Sequence, residues 1–225
     1  MVAILVVLTF VLFIVISSLL QKRQVVHELE QPAVRGQTWD PNFPLGYFFS
    51  PNHLWANLDR SGVLKVGADA MLHRFFGKLD GIRLKKPGEY VHKGDMLANL
   101  TKGDKEVFIA SPVSGVVQYV NSQAEKKPNA FTGDPYETGW LYLIKPSRLA
   151  DDLKSFKLAD QAKSWMSGEM NRLKDFAQMN VPQPSLAYLT LADGGLLIEG
   201  IVDYLDAKGL REFERQFLLN VSEEV

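Results

Sequence analysis

Residues 2 to 20, VAILVVLTFVLFIVISSLL, contain no charged residue and no proline, and no other stretch limits so strongly what this chain can become. At a rise of about 1.5 Å per residue such a run just spans a hydrocarbon core of roughly 30 Å, so it predicts a transmembrane helix with the lipid bilayer as its partner. A cleaved signal peptide fits less well, because the basic leading region is missing and VISSLLQKRQ offers no small-residue cleavage site. Lys22 and Arg23 follow the run directly and no basic side chain precedes it. That bias predicts a single-pass protein of the cytoplasmic (inner) membrane with its body in the cytoplasm.

The chain then changes character several times. An anchor over 1–21 is followed by a spacer over 22–46, where Pro32, Gly36, Pro41 and Pro44 suit neither a long helix nor a central strand. From Tyr47 onward, strand-length apolar runs recur at Val63 to Val66, Met96 to Leu100, Val107 to Ile109, Val116 to Val120 and Trp140 to Ile144, punctuated by Gly, Pro, Asp and Asn. Residues 47–148 are therefore expected to form a compact, mainly β sandwich or barrel with one helix at Asp69 to Phe76.

Past Pro146 the period becomes helical. Phe156, Ala159, Ala162, Met166, Met170, Leu173 and Ala177 share a face, with Lys163, Glu169, Arg172 and Lys174 around the rest of the wheel. Residues 149–180 are expected to be an amphipathic helical extension packed on the β-domain. Pro182 and Pro184 end it, and 181–225 reads as a strand (SLAYLTLADGG), a turn at Asp193-Gly194-Gly195 and a helix from about Asp206 to Leu218. Leu210, Phe213 and Phe217 on one face of that helix point to packing, not to a cofactor site.

Composition excludes several functions. The 25 basic and 26 acidic residues nearly cancel, and no basic stripe stands out for nucleic-acid phosphates. With no cysteine there is neither a disulfide nor a thiolate nucleophile or metal ligand. His27, His53, His73 and His92 are scattered, and no metal-ligand spacing, nucleophile elbow or phosphate-cradling glycine loop occurs. His53, beside Trp55, reads as a satisfied structural histidine. An independent enzyme is not expected, and neither a metal nor a cofactor is implied by these residues.

Two motifs are more specific. Lys86-Pro87-Gly88-Glu89-Tyr90-Val91-His92-Lys93-Gly94-Asp95-Met96-Leu97 and Ser111-Pro112-Val113-Ser114-Gly115-Val116-Val117 each give turns and strands. Together they resemble the quasi-symmetric halves of a biotinyl/lipoyl carrier domain. His53-Leu54-Trp55, Val66-Gly67 ahead of a helix, Asn121, Pro128 and Asp134-Pro135-Tyr136-Glu137-Thr138-Gly139-Trp140-Leu141 sharpen this to a resemblance to the H protein of the glycine cleavage system over roughly residues 47 to 160.

The resemblance implies a barrel-sandwich hybrid whose hairpin lysine is amide-linked to lipoate and serves partner enzymes. Aligned without gaps from Leu97 to Pro112, this chain has Asp104 where that family has the lysine and Thr101 where it has the preceding glutamate. Asp104 has no primary amine to acylate. Lys102 and Lys105 flank it, and either is a lipoyl attachment site only if the turn is re-registered; otherwise both belong to a solvated turn in which Gly103 supplies a positive φ. The leading expectation is thus a non-lipoylated, membrane-anchored docking subunit of a lipoate-dependent or redox assembly. The alternatives are a lipoate carrier modified on Lys105 or Lys102 that shuttles a group between membrane-associated enzymes, and a periplasmic export-pump adaptor. Adaptors usually carry a long helical hairpin between the two halves, and here only a short segment intervenes.

Overall fold

Glycine and aspartate turns cut residues 47–146 into short strands that can only pair antiparallel. The computed structural model describes residues 43–128, 134–182 and 199–220. The apolar run at 2–20, the spacer as far as residue 42 and the SLAYLTLADGG stretch lie outside the described residues. Among the described residues no helix is long and apolar enough to cross a membrane.

The strands are β1 (Tyr47–Phe49), β2 (Leu54–Leu58), β3 (Leu64–Ala68), β4 (Gly81–Leu84), β5 (Tyr90–Val91), β6 (Met96–Lys102), β7 (Lys105–Ala110), β8 (Gly115–Val120), β9 (Trp140–Pro146) and β10 (Lys157–Leu158). They form a seven-stranded sheet in the order β10-β1-β2-β3-β9-β8-β5 and a three-stranded sheet in the order β4-β6-β7. A mainly β, sandwich-like domain was the expectation, and this is its form. Leu64, Val66, Leu100, Val107, Ile109, Val117, Leu141 and Ile144 are all fully buried in the core. Tyr142 stitches the sheets together: its hydroxyl accepts from Lys85 N–H at 2.7 Å and donates to the Leu97 carbonyl on β6 at 2.5 Å.

The motif residues have structural work to do. Trp55 is fully buried and donates from Nε1 to the Pro135 carbonyl at 2.9 Å, while Asp134 Oδ1 accepts from the Tyr136 and Glu137 N–H groups. Gly67 lies on β3 beneath Trp55, where a Cβ would sit 2.5 Å from Cζ2 of the indole and 2.6 Å from the Gly139 carbonyl. Only a residue without a side chain lets β3 pass there.

The expected first helix is α1 (Ala70–Phe76), with Asp69 as its N-cap accepting from Leu72 N–H at 3.0 Å. A short helix, α2 (Ser122–Lys126), is capped by Asn121. The extension differs from expectation at its start. Residues after Pro146 form α3 (Leu149–Asp152), a 3-10 turn and then β10, which pairs with β1, before α4 (Ala159–Asn180) begins. Phe156 therefore precedes the helix and is not part of its stripe; a sheet edge nearby captures the extended backbone that periodicity alone assigned to the helix. The buried face of α4 is Ala162, Met166, Glu169, Met170, Leu173, Phe176 and Ala177.

The C-terminal part of the described chain is a 3-10 turn (Ile201–Tyr204), α5 (Ala207–Phe213) and a π-helical turn (Glu214–Leu218). Asp206 caps α5 by accepting from Gly209 N–H at 2.7 Å. Phe213 stacks on Phe75 of α1 with ring centroids 3.4 Å apart, and Phe217 stacks on Phe213 at 5.0 Å; Phe176 of α4 meets both edge-on. The aromatic face recognised in the sequence is thus buried between α1 and α4, and the described residues belong to one compact unit.

Candidate functional site

The β6–β7 hairpin is the element on which the sequence concentrates candidates. Lys102 pairs with Lys105, leaving Gly103 and Asp104 as a two-residue loop. Gly103 has φ +60° and Asp104 does not share a positive φ, the pattern of a II′ turn, whose twist matches the flanking strands. Gly103 N–H donates to Asp80 Oδ2 at 2.7 Å, which fixes the loop from below. Asp104 is exposed at the tip.

The two lysines do not lie free in solvent as a polar turn suggested. Lys102 Nζ donates to the Phe76 carbonyl at the end of α1 at 2.5 Å and pairs with Asp203 Oδ2 at 2.9 Å, its side chain only 16% exposed. Lys105 Nζ donates to the carbonyls of Val202 and Asp203 at 2.7 and 2.9 Å. Both amines thus converge on the Ile201–Tyr204 turn, whose carbonyls and carboxylate supply the acceptors an ammonium needs. Further along the hairpin, Glu214 Oε1 accepts from Phe108 N–H at 2.7 Å, so a side chain caps the outer edge of β7. Chain segments far apart in sequence therefore clamp the hairpin on its tip and on one edge.

A second cluster lies behind the clamp. His53 is fully buried, with φ +60°. Its Nδ1 is 2.8 Å from Asp69 Oδ2 and its Nε2 is 3.4 Å from Glu169 Oε2, an ion-pair separation rather than a hydrogen bond. Glu169 in turn accepts from Arg172 with both oxygens, at 2.6 and 2.7 Å. The guanidinium lies 4.9 Å over the Phe217 ring and donates to the Gln216 carbonyl at 3.3 Å. Trp165 stacks on the imidazole at 5.1 Å.

Burial alone pulls the His53 pKa down, but the Asp69 and Glu169 carboxylates outweigh it and raise it to about 9, so the ring is an imidazolium at neutral pH. Burial pushes the Glu169 carboxyl up, yet His53 and Arg172 hold it below its usual value. His73 is the opposite case: burial drives it down to about 3 and keeps it neutral. His92 lies against Tyr90 on another face, and His27 lies outside the described residues.

Of the residues singled out in the sequence, the structure brings Lys102 and Lys105 together and leaves Asp104 apart. His53 is fully buried between two carboxylates that the sequence does not point to. The helical wheel puts Glu169 on the polar side of its helix; it is buried, because its carboxylate meets a charge contributed by another element. Asp69 was legible only as a helix cap, and Asp203 and Glu214 carried no signal of their own. The spacing Met166, Glu169, Met170, Leu173 does place Glu169 within the buried stripe.

Comparison with known proteins bears on the same region. The family model described as "Glycine cleavage H-protein" matches residues 47–169. The glycine cleavage system H protein 2 of Aquifex aeolicus is 31% identical over 116 residues, covering 52% of this chain and 72% of that protein. A probable H protein 2 of Saccharolobus solfataricus is 36% identical over 103 residues, 45% of this chain and 70% of that protein. A probable H protein of Thermococcus gammatolerans is 34% identical over 117 residues, 51% of this chain and 85% of that protein. The matched region contains the hairpin, His53, Asp69 and Glu169. It ends before Asp203, Glu214 and the stacked rings of Phe213 and Phe217.

Proposed function

Since this chain belongs to the glycine cleavage H-protein family, we propose that it is a member given over to docking, a non-lipoylated subunit tethered to the cytoplasmic face of a membrane through residues 2–20. Its partner on this reading is a protein of a lipoate-dependent or redox assembly in that membrane. The family's own role is that of a carrier without catalytic activity, and this chain is likewise read as a non-enzyme.

One observation carries the reading. The hairpin that would present a lipoyl lysine ends in Gly103-Asp104, and the amines on either side, Lys102 and Lys105, are each committed to two acceptors on or beside the C-terminal segment. Acylation of either amine exchanges an ammonium with three donors for a neutral amide with one, and breaks the ion pair to Asp203 in the case of Lys102. A carrier arm also has to swing, whereas this hairpin is held at its tip and along one edge.

The test is intact and peptide mass spectrometry of the protein purified from its native membrane, reading the region from Thr101 to Glu106. Full occupancy by the unmodified peptide is expected. A lipoyl adduct on Lys102 or Lys105 overturns the docking reading and makes the protein a membrane-tethered carrier. Protease accessibility in right-side-out and inverted vesicles tests the orientation, the body being cleaved only from the cytoplasmic side.

A further inference from the structure

The seven-stranded sheet has an inner and an outer face, and the outer face is only half covered. Leu54, Ala56, Val66, Val117, Tyr142 and Ile144 are fully buried, so by the alternation of a strand the residues beside them turn outward. At one end of the outer face Phe43, Tyr136 and the turn over residues 134–139 roof Phe49 and Trp55. The other end is open. There the strand register aligns Tyr119, Leu143, Lys65 and Asn57 on one rung, and Tyr90, Val116 and Lys145 on the next.

This open end joins apolar surface to ammonium groups. Tyr119 is 62% exposed, and Tyr90 and Val116 are exposed beside it. Lys65 has no ion-pair partner among the described residues, its ammonium lying 5.8 Å from the centroid of the Trp140 ring. Lys145 Nζ donates to the Ser61 carbonyl at 2.8 Å, which uses one of its three N–H groups. Neither open rung carries a carboxylate. On the margins, Asp59 in the β2–β3 turn accepts from Ser61 and Val63 N–H, and Asp134 in the roof accepts from Tyr136 and Glu137 N–H, with Glu137 near Tyr47 at the covered end.

Tyrosine rings, an aliphatic patch and lysines suit a membrane interface, where the ring sits at headgroup level and the ammonium reaches lipid phosphates along its apolar stem. The entry of the chain points the same way. Phe43, the first described residue, packs on Phe49 with ring centroids 4.4 Å apart, so the stretch that leads from residues 2–20 joins the body on this face.

We infer that the open half of this face rests on the anionic headgroups of the membrane. Lys65 and Lys145 meet the acidic groups of the lipids, and Tyr90 and Tyr119 lie at headgroup level. A body already tethered nearby needs little affinity of its own, and the attraction of each lysine to an anionic leaflet falls off within about 8 Å at physiological salt. The three-stranded sheet, with its clamped hairpin, then faces away from the lipid. The inference deepens the tethered reading and rests on it.

The experiment uses the full chain in lipid nanodiscs, of phosphatidylcholine alone or of phosphatidylcholine mixed with phosphatidylserine, treated with the uncharged N-hydroxysuccinimidyl ester of acetate. Peptide mass spectrometry reads the acetylation rates of Lys65 and Lys145 relative to that of Lys208, which is exposed on α5. Both are expected to react about fivefold or more slowly in the anionic discs than in the neutral ones, and the difference to shrink at high salt. Tyr119→Asp should bring the anionic-disc rates up to the neutral-disc rates; Tyr119 is largely exposed, so its variant separates loss of contact from loss of fold. Equal relative rates in the two lipids overturn the inference, and if both are slow the face belongs to a protein contact. Slowing that survives Tyr119→Asp overturns it too. A chain that does not enter the discs defeats the tethered reading itself, whereas a chain that enters them with Lys65 and Lys145 unslowed defeats the face alone.

Discussion

The buried imidazolium of His53 makes stability depend on pH in a direction opposite to ordinary acid denaturation. Its folded pKa is raised, from 6.5 to about 9, so the folded state holds a proton that the unfolded chain releases on passing 6.5. The stabilisation is complete below 6.5 and is lost as pH rises through about 9. At about 1.36 kcal/mol for each tenfold change in proton affinity, the loss amounts to about 3 kcal/mol, a large part of the stability of a domain this size.

The comparison is between wild type and His53→Asn, since asparagine tolerates the left-handed backbone that His53 occupies at φ +60°. Urea unfolding of the full chain in detergent micelles at pH 6, 7, 8 and 9 gives the two profiles. Wild type is expected to lose stability steadily between about pH 6.5 and 9, and the variant, less stable throughout, to show a nearly flat profile over the same interval. A wild-type profile that is flat or rises over that interval, or a variant with the same slope, refutes the assignment of the proton to His53 between Asp69 and Glu169.

Other outcomes follow from the same structure. His73 has a pKa lowered to about 3 by burial, so its contribution is present above 6.5 and is lost as pH falls toward 3; His73→Leu should flatten the acid side of the unfolding profile. Phe213→Ala removes the ring stacked between Phe75 and Phe217 and should cost about 3–5 kcal/mol, with earlier proteolytic cleavage within residues 199–220. Gly67→Ala brings a methyl to 2.5 Å from the Trp55 indole and should cost roughly 1–3 kcal/mol, read as a lowered urea midpoint. Asp104→Lys places an amine at the exposed tip of the hairpin, and co-expression with a lipoate ligase should add a lipoyl mass to the variant and none to the wild type.

Local chemistry announced most of the strands and failed where partners are remote. Val107 and Ile109 alternate with exposed Glu106 and Phe108 and are followed by Ser111-Pro112, so β7 was legible from its own residues. So was α1, because Asp69 follows β3 directly and caps the helix. β10 was not: two residues become a strand only because β1 has a free edge. Glu169 was sorted by its charge onto the solvent side, since a count of polar residues has no way of knowing that an imidazolium from the β1–β2 connection lies opposite. For the same reason Lys102 and Lys105 looked solvated, their acceptors at Phe76, Val202 and Asp203 being distant in the chain. Asp104, whose surroundings are local, was placed at the exposed tip from sequence alone.

The carboxylate of Glu214 on the outer edge of β7 bears on how this protein can be handled in the laboratory. Hairpin tips are ordinarily the first choice for inserting an epitope, a dye-binding peptide or a fluorescent domain, because a surface turn tolerates extra length. Here an insertion between Gly103 and Asp104 would press on a turn held by Asp80, by two ammonium groups and, three rungs back, by Glu214. Labels are better carried by the turn at Asp59 to Val63 between β2 and β3, whose bonds are made within the turn itself apart from the Lys145 ammonium resting on the Ser61 carbonyl.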